Sequence, residues 1–248
     1  MAPIKRVAPR DIYLRICPID SVQSLANRLD IDIDIELPFI ATSHWAIVVG
    51  NRVYDVAKQK TATDGRRFHI GKWTLSEWQK AHPHLIKPPL KLGQTVLADE
   101  RLSEIADMIW AVFNSGHYNV LRNNCQCFAD VFTTVMLAGN GASDPDATIS
   151  AAEAQTWNAI PRKLLEMDFG GKGGLVGISP AVAQFKGFVR GEARGRRLDQ
   201  MGDDLRPVLQ RAYDKFDADD SRKTARAVSM AAGQLAAAAA RNGSCAVM

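Results

Sequence analysis

The chain is poor in cysteine, with four in 248 residues: Cys17, Cys125, Cys127 and Cys245. That spacing is neither a disulfide ladder nor a zinc pattern, because Cys125-Gln126-Cys127 has no second ligand pair. Free thiols in a reducing compartment are therefore expected, with no metal and no cofactor. No run of about 18 apolar residues occurs, so no membrane-spanning helix is expected. The first residues, MAPIKRVAPRDIY, lack the apolar stretch of a secretory leader, which points to a cytoplasmic location. Net charge is only +4, too small an excess to imply a nucleic-acid partner.

What is present fits a globular protein. The chain is 46% hydrophobic and 23% charged, which excludes wholesale disorder. Its pattern predicts an α+β domain over residues 1–140 and a mainly helical extension over 141–248. Ile12 to Cys17 reads as a strand, Ser21 as the cap of a short helix, and Ile31 to Leu37 as an alternating edge strand. Residues 43–58 place two β-rich runs around Gly50-Asn51, a strong hairpin signal. Residues 59–95 show little pattern. Asp99 to Asn114 carries apolar residues at a 3.6-residue period, and a second helix is predicted from about Asn124 to Gly139. A linker-like stretch follows Asn140. Ser150 to Met167 is predicted helical, glycines cluster at 168–177, and helices are predicted from about Pro180 to Ala240.

The sharpest feature is YNVLRNNCQCFADVF, residues 118–132. Cys125 falls where an asparagine-rich turn becomes an apolar helix. Asn124, or Asn123 before it, can cap that helix, with Gln126 beside it in the first turn. Unpaired N–H groups and the positive end of the helix dipole would then favour a thiolate and a developing oxyanion. A nucleophilic thiol needs a base, usually histidine. Of His44, His69, His82, His84 and His117, His44 is the strongest choice because it opens the strand HWAIVV; His117 is second. If Gly50-Asn51 form a two-residue turn, Val49 pairs with Arg52 and Ala46 with Asp55. Asp55 then shares the face of His44 and lies diagonal to it, placed to orient the ring. A slip of one residue would bring Tyr54 there instead. Cys17 and Cys127 read as packing thiols, His82 and His84 as non-ligands flanking Pro83, and Trp73 and Trp78 as cleft walls or packing. A DFG triplet at 168–170 and an acidic run at 217–220 lack the companions that would make them kinase or calcium motifs.

The run H-W-A-I-V-V-G-x-x-V-Y-D-V, followed by Y-N-x-L-x-x-N-C-Q-x-F, resembles the permuted papain-like fold of the NlpC-type thiol hydrolase superfamily, in which His precedes Cys. The resemblance covers about residues 10–138. The PPPDE branch of desumoylating and deubiquitinating isopeptidases is similar in its strand histidine (His44), an L-G-x-T segment (Leu92 to Thr95) and its nucleophile motif (Tyr118 to Phe128). The lecithin:retinol acyltransferase-like branch shares H-W-A and N-C, but has Glu-His where this chain has Gln126-Cys127. The resemblance implies an antiparallel sheet packed on helices, a Cys125 nucleophile and a His44 base. It also implies hydrolysis of an amide, isopeptide or thioester bond in a protein substrate such as a ubiquitin-like conjugate. Lipid acyl transfer or phospholipase action is the alternative, and a catalytically silent, membrane-tethered interaction module the third.

The final residues, Cys245-Ala246-Val247-Met248, fit a C-a-a-X prenylation signal whose terminal Met favours farnesyl. Cys245 is accordingly the predicted lipid acceptor. One prenyl chain anchors marginally, and the basic residues of the extension offer a second membrane signal diluted by acidic neighbours.

Overall fold

The computed structural model describes residues 5–18, 43–58, 68–83, 88–112, 124–137, 159–160, 163, 180–222 and 230. Five strands form one antiparallel sheet: β1 (Arg6–Pro18), β2 (Ser43–Val49), β3 (Arg52–Lys58), β4 (Phe68–Thr74) and β5 (Leu90–Leu97), in the order β4-β3-β2-β1-β5. The helices are α1 (Leu75–Ala81), α2 (Asp99–Val112), α3 (Cys125–Leu137), α4 (Pro180–Ala193) and α5 (205–222). Two short 3-10 turns, Leu198–Gln200 and Gly202–Asp204, link α4 to α5.

The β2–β3 hairpin forms because Gly50 takes a positive φ of 59° that costs glycine little. The turn fixes the register expected from sequence: Val49 pairs with Arg52, Val48 with Val53 and Ala46 with Asp55. The strand at Ile12 to Cys17 extends further, to Arg6 and Pro18. Long β1 lies between central β2 and the edge strand β5 and pairs with both.

Alternation then gives the sheet two different faces. Trp45, Ile47, Val49 and Tyr54 join a large core with α2, α3 and the extension. Ala46, Val48, Val53 and Cys17 form a smaller cluster capped by Trp78 of α1. Each buried aliphatic side chain contributes about 1.5–3 kcal/mol of transfer free energy.

The patternless stretch 59–95 holds β4, α1 and the greater part of β5. The α1 start carries a capping box: the Glu77 amide donates to the Thr74 hydroxyl at 3.2 Å, and the Thr74 amide to the Glu77 carboxylate at 2.8 Å. The predicted helices at 99–114 and 124–139 are present as α2 through Val112 and as α3 through Leu137, and residues 113–114 and 138–139 lie outside the described residues. Within the predicted helix at 150–167, residues 159, 160 and 163 are helical. The expected elements at 21–29 and 31–37, the linker after Asn140, the glycine cluster, His84, His117 and Cys245 lie outside the described residues. No helix among the described residues is long and apolar enough to cross a membrane.

Candidate active site

Strand register decides which side chains can meet. His44 and Asp55 project from the small-cluster face of the sheet, and Tyr54 from the other, where it packs edge-on against Phe132 at 5.2 Å between ring centroids. His44 Nε2 lies 3.0 Å from Asp55 Oδ2. Asp55 is therefore the residue that holds the ring, as the two-residue turn implies.

Asp55 is nearly inaccessible, with a side-chain exposure of 2%. A carboxylate there needs donors. Besides His44 it has two: the Trp73 indole N–H donates to Oδ1 at 2.9 Å and the Trp78 indole N–H to Oδ2 at 2.8 Å. Burial alone would raise its pKa, but the hydrogen bond and charge of His44 together with the two indoles hold the carboxyl below the usual carboxylate range. The close approach of Trp73 depends on Gly71. A methyl there would stand 2.4 Å from Asp55 Oδ1 and 2.3 Å from Trp73 Nε1.

Cys125 reaches the site from the opposite side of the sheet. It is the first residue of α3 and belongs to the large core cluster. Its thiol donates to the Ser43 carbonyl at 3.8 Å, at the residue that precedes His44. The thiol and the imidazole are thus brought to the Ser43 end of β2. Burial pushes the His44 pKa down, but hydrogen bonds to Asp55 and to Cys125 outweigh it and raise the value to about 10. Since Nε2 is engaged by Asp55, Nδ1 is the nitrogen that remains for the thiol.

Asn124 caps α3: its Oδ1 accepts from the Cys127 amide at 2.8 Å. That bond occupies the Cys127 N–H, so an oxyanion at the Cys125 side of the turn would meet the Cys125 amide first. Gln126 follows Cys125 in the first turn of α3. Its side-chain amide donates to the Ser43 carbonyl at 3.5 Å, tying the helix start to β2. Cys127 is buried, and burial pushes its thiol up to about 12, which keeps it protonated. Cys17 is buried too, with its thiol on the His44 carbonyl at 3.7 Å.

Two contributions were not legible as such. Trp73 and Trp78, read as walls or packing, are donors to Asp55. His82, read as a bystander, closes α1 and stacks on both Trp78 (centroids 4.5 Å apart) and His44 (5.4 Å). The T-L-S-E capping box at Thr74–Glu77 was the one available signal, because it starts the helix that carries Trp78 and His82.

No protein-family model matches the chain, and no characterised protein matches it in sequence.

Proposed function

We propose that the chain is a cysteine-nucleophile hydrolase, with Cys125 attacking the carbonyl of an amide, isopeptide or thioester bond. The observation that carries this reading is the His44 imidazole 3.0 Å from a buried carboxylate, with the Cys125 thiol 3.8 Å from the carbonyl of the adjoining residue, Ser43. A half-buried imidazole, a buried carboxylate and a buried thiol from three different elements rarely converge so for packing alone.

In this reading the Cys125 proton has already passed to His44, whose raised pKa keeps the ring protonated, when sulfur bonds to the carbonyl carbon. Asp55 keeps the imidazolium in place without accepting its proton. The Cys125 amide and the start of α3 stabilise the oxyanion. The tetrahedral intermediate then expels the amine or thiol, which leaves with the proton from His44. Water, deprotonated by His44, releases the acyl group from sulfur.

The permuted papain-like architecture of the PPPDE type remains the parent we propose, and a ubiquitin-like conjugate the substrate class. Gln126-Cys127, where the lecithin:retinol acyltransferase-like branch has Glu-His, favours the PPPDE type over that branch. Farnesylation at Cys245 would bring the enzyme to a membrane surface, and Cys245→Ser should then shift it to the soluble fraction.

The test is covalent labelling by ubiquitin and SUMO carrying a C-terminal electrophile. We expect a thioether at Cys125 that is lost in Cys125→Ala and weakened in Asp55→Asn. Phospholipid deacylation by the wild type with no such labelling would favour the acyltransferase alternative. A wild type equal to Cys125→Ala in all of these assays would mean a non-catalytic module.

A further inference from the structure

Among the described residues, one group of three potential metal ligands stands together: His44, Asp55 and His82. One ligand atom from each lies within 4.8 Å of the others. We infer that these three side chains form a binding site for a zinc ion, and that zinc shuts the catalytic site by occupying the base.

Donor chemistry selects the metal. Two imidazoles and one carboxylate suit zinc, whereas calcium and magnesium want oxygen-only shells. Zinc bonds of about 2.0–2.1 Å in a tetrahedron set ligand atoms roughly 3.3 Å apart. His44 Nε2 and Asp55 Oδ2 already stand 3.0 Å apart, so an ion lying off their line replaces the proton between them. The His82 ring stacks on His44 with the planes 17° apart, so it has to turn out of that stack to aim a ring lone pair at the ion. The side chain sits at the C-cap of α1, past the last helical residue, and rotates without unwinding a turn.

The surroundings of the three ligands are also built. His82 Nδ1 lies 3.1 Å from the Trp78 carbonyl, an arrangement that puts the proton on Nδ1 and leaves Nε2 with a bare lone pair. Asp55 accepts from Trp73 and Trp78, which orient it for a metal as well as for His44. A carboxylate has about four acceptor positions, so two indole bonds leave room for the ion.

Binding is a property of the folded chain. Inhibition rests on the hydrolase reading: with zinc on Nε2 the ring's one remaining proton stays on Nδ1, the nitrogen left for the thiol, so His44 can neither accept a proton there nor cycle it to the leaving group. The two are separable by experiment. Calorimetric titration of the full chain with zinc chloride should show one equivalent bound, with magnesium chloride giving no heat. His82→Phe keeps the aromatic stack and removes the ligand, and should bind zinc at least about tenfold more weakly, the lower bound expected from disturbing a metal shell. His82→Gln serves as a second variant, and His69→Ala, at an exposed β4 position, should bind as the wild type does. Zinc should slow electrophile labelling of Cys125, and a chelator or His82→Phe should relieve that effect. Equal affinity in the wild type and both His82 variants, or no saturable binding, overturns the site. One-to-one binding through His82 in a protein whose Cys125 never reacts would sink the hydrolase reading and leave the metal site standing.

Discussion

Asp55 is buried yet keeps three N–H partners, two of them indoles. Their geometry leaves no room at Gly71, where an added methyl would overlap Asp55 Oδ1 and Trp73 Nε1. Gly71→Ala should therefore push Trp73 away and strip one donor from the carboxylate. We expect a loss of about 1–3 kcal/mol in urea unfolding, together with a fall in Cys125 labelling rate. The same cluster predicts a pH dependence. The His44 pKa is raised from 6.5 to about 10, so the stability it contributes is fully present below about pH 6.5 and is lost as pH rises towards 10. Asp55 is lowered, so its contribution is present above the usual carboxylate range and is lost as pH falls through the lowered value. The urea midpoint of the wild type should decline between pH 6.5 and 10 more steeply than that of His44→Gln. Parallel profiles would remove the coupling. The pairing of His44 with Asp55 was readable because a two-residue turn dictates register. The indole donors were not, because nothing local in β4 or α1 announces a contact across strands.

Helix α1 shows where element-level reading stops. β4 carries Gly71 and Lys72 at its centre, which weaken its strand pattern, and the site's demand for Gly71 prevails over β propensity. By contrast α2 and α3 were legible because their apolar residues recur at the helical period and Asn124 marks a start. Nothing in the sequence, however, joins α3 to α4. The join includes an ion pair between Asp130 and Lys186, 2.8 Å apart at side-chain exposures of 1% and 6%. Burial raises the Asp130 pKa, and the Lys186 charge opposes that rise. Lys186→Met leaves a buried carboxylate uncompensated and should cost about 3–5 kcal/mol. The double variant Asp130→Leu with Lys186→Met should recover most of that loss, because desolvation is then no longer owed by either side. Chemical denaturation of the two variants and of Asp130→Leu alone measures the coupling. A double variant as unstable as Lys186→Met would mean that packing, not charge, governs this contact.

The expected division at residue 140 separates a catalytic domain from an extension, yet the buried side chains form one continuous cluster. It runs from Ile12, Trp45 and Tyr54 of the sheet through Phe128 and Phe132 of α3 to Val182, Phe185, Leu205 and Phe216 of the extension. Composition could not reveal this, since alanine- and arginine-rich helices look alike whether they dock on a core or stand in solvent. Shared burial implies shared cooperativity. Phe185 is fully buried and meets Phe216 edge-on at 6.1 Å, so Phe185→Ala should cost about 3–5 kcal/mol. If the extension and the sheet unfold together, that loss will lower a single calorimetric transition whose calorimetric and van't Hoff enthalpies agree. Near-ultraviolet signals from Trp45 and Trp78, both far from residue 185 in sequence, will shift with it. Two transitions, with only the lower one moved by Phe185→Ala, would instead make the extension an independent unit, and α3 would then have to be stable without it.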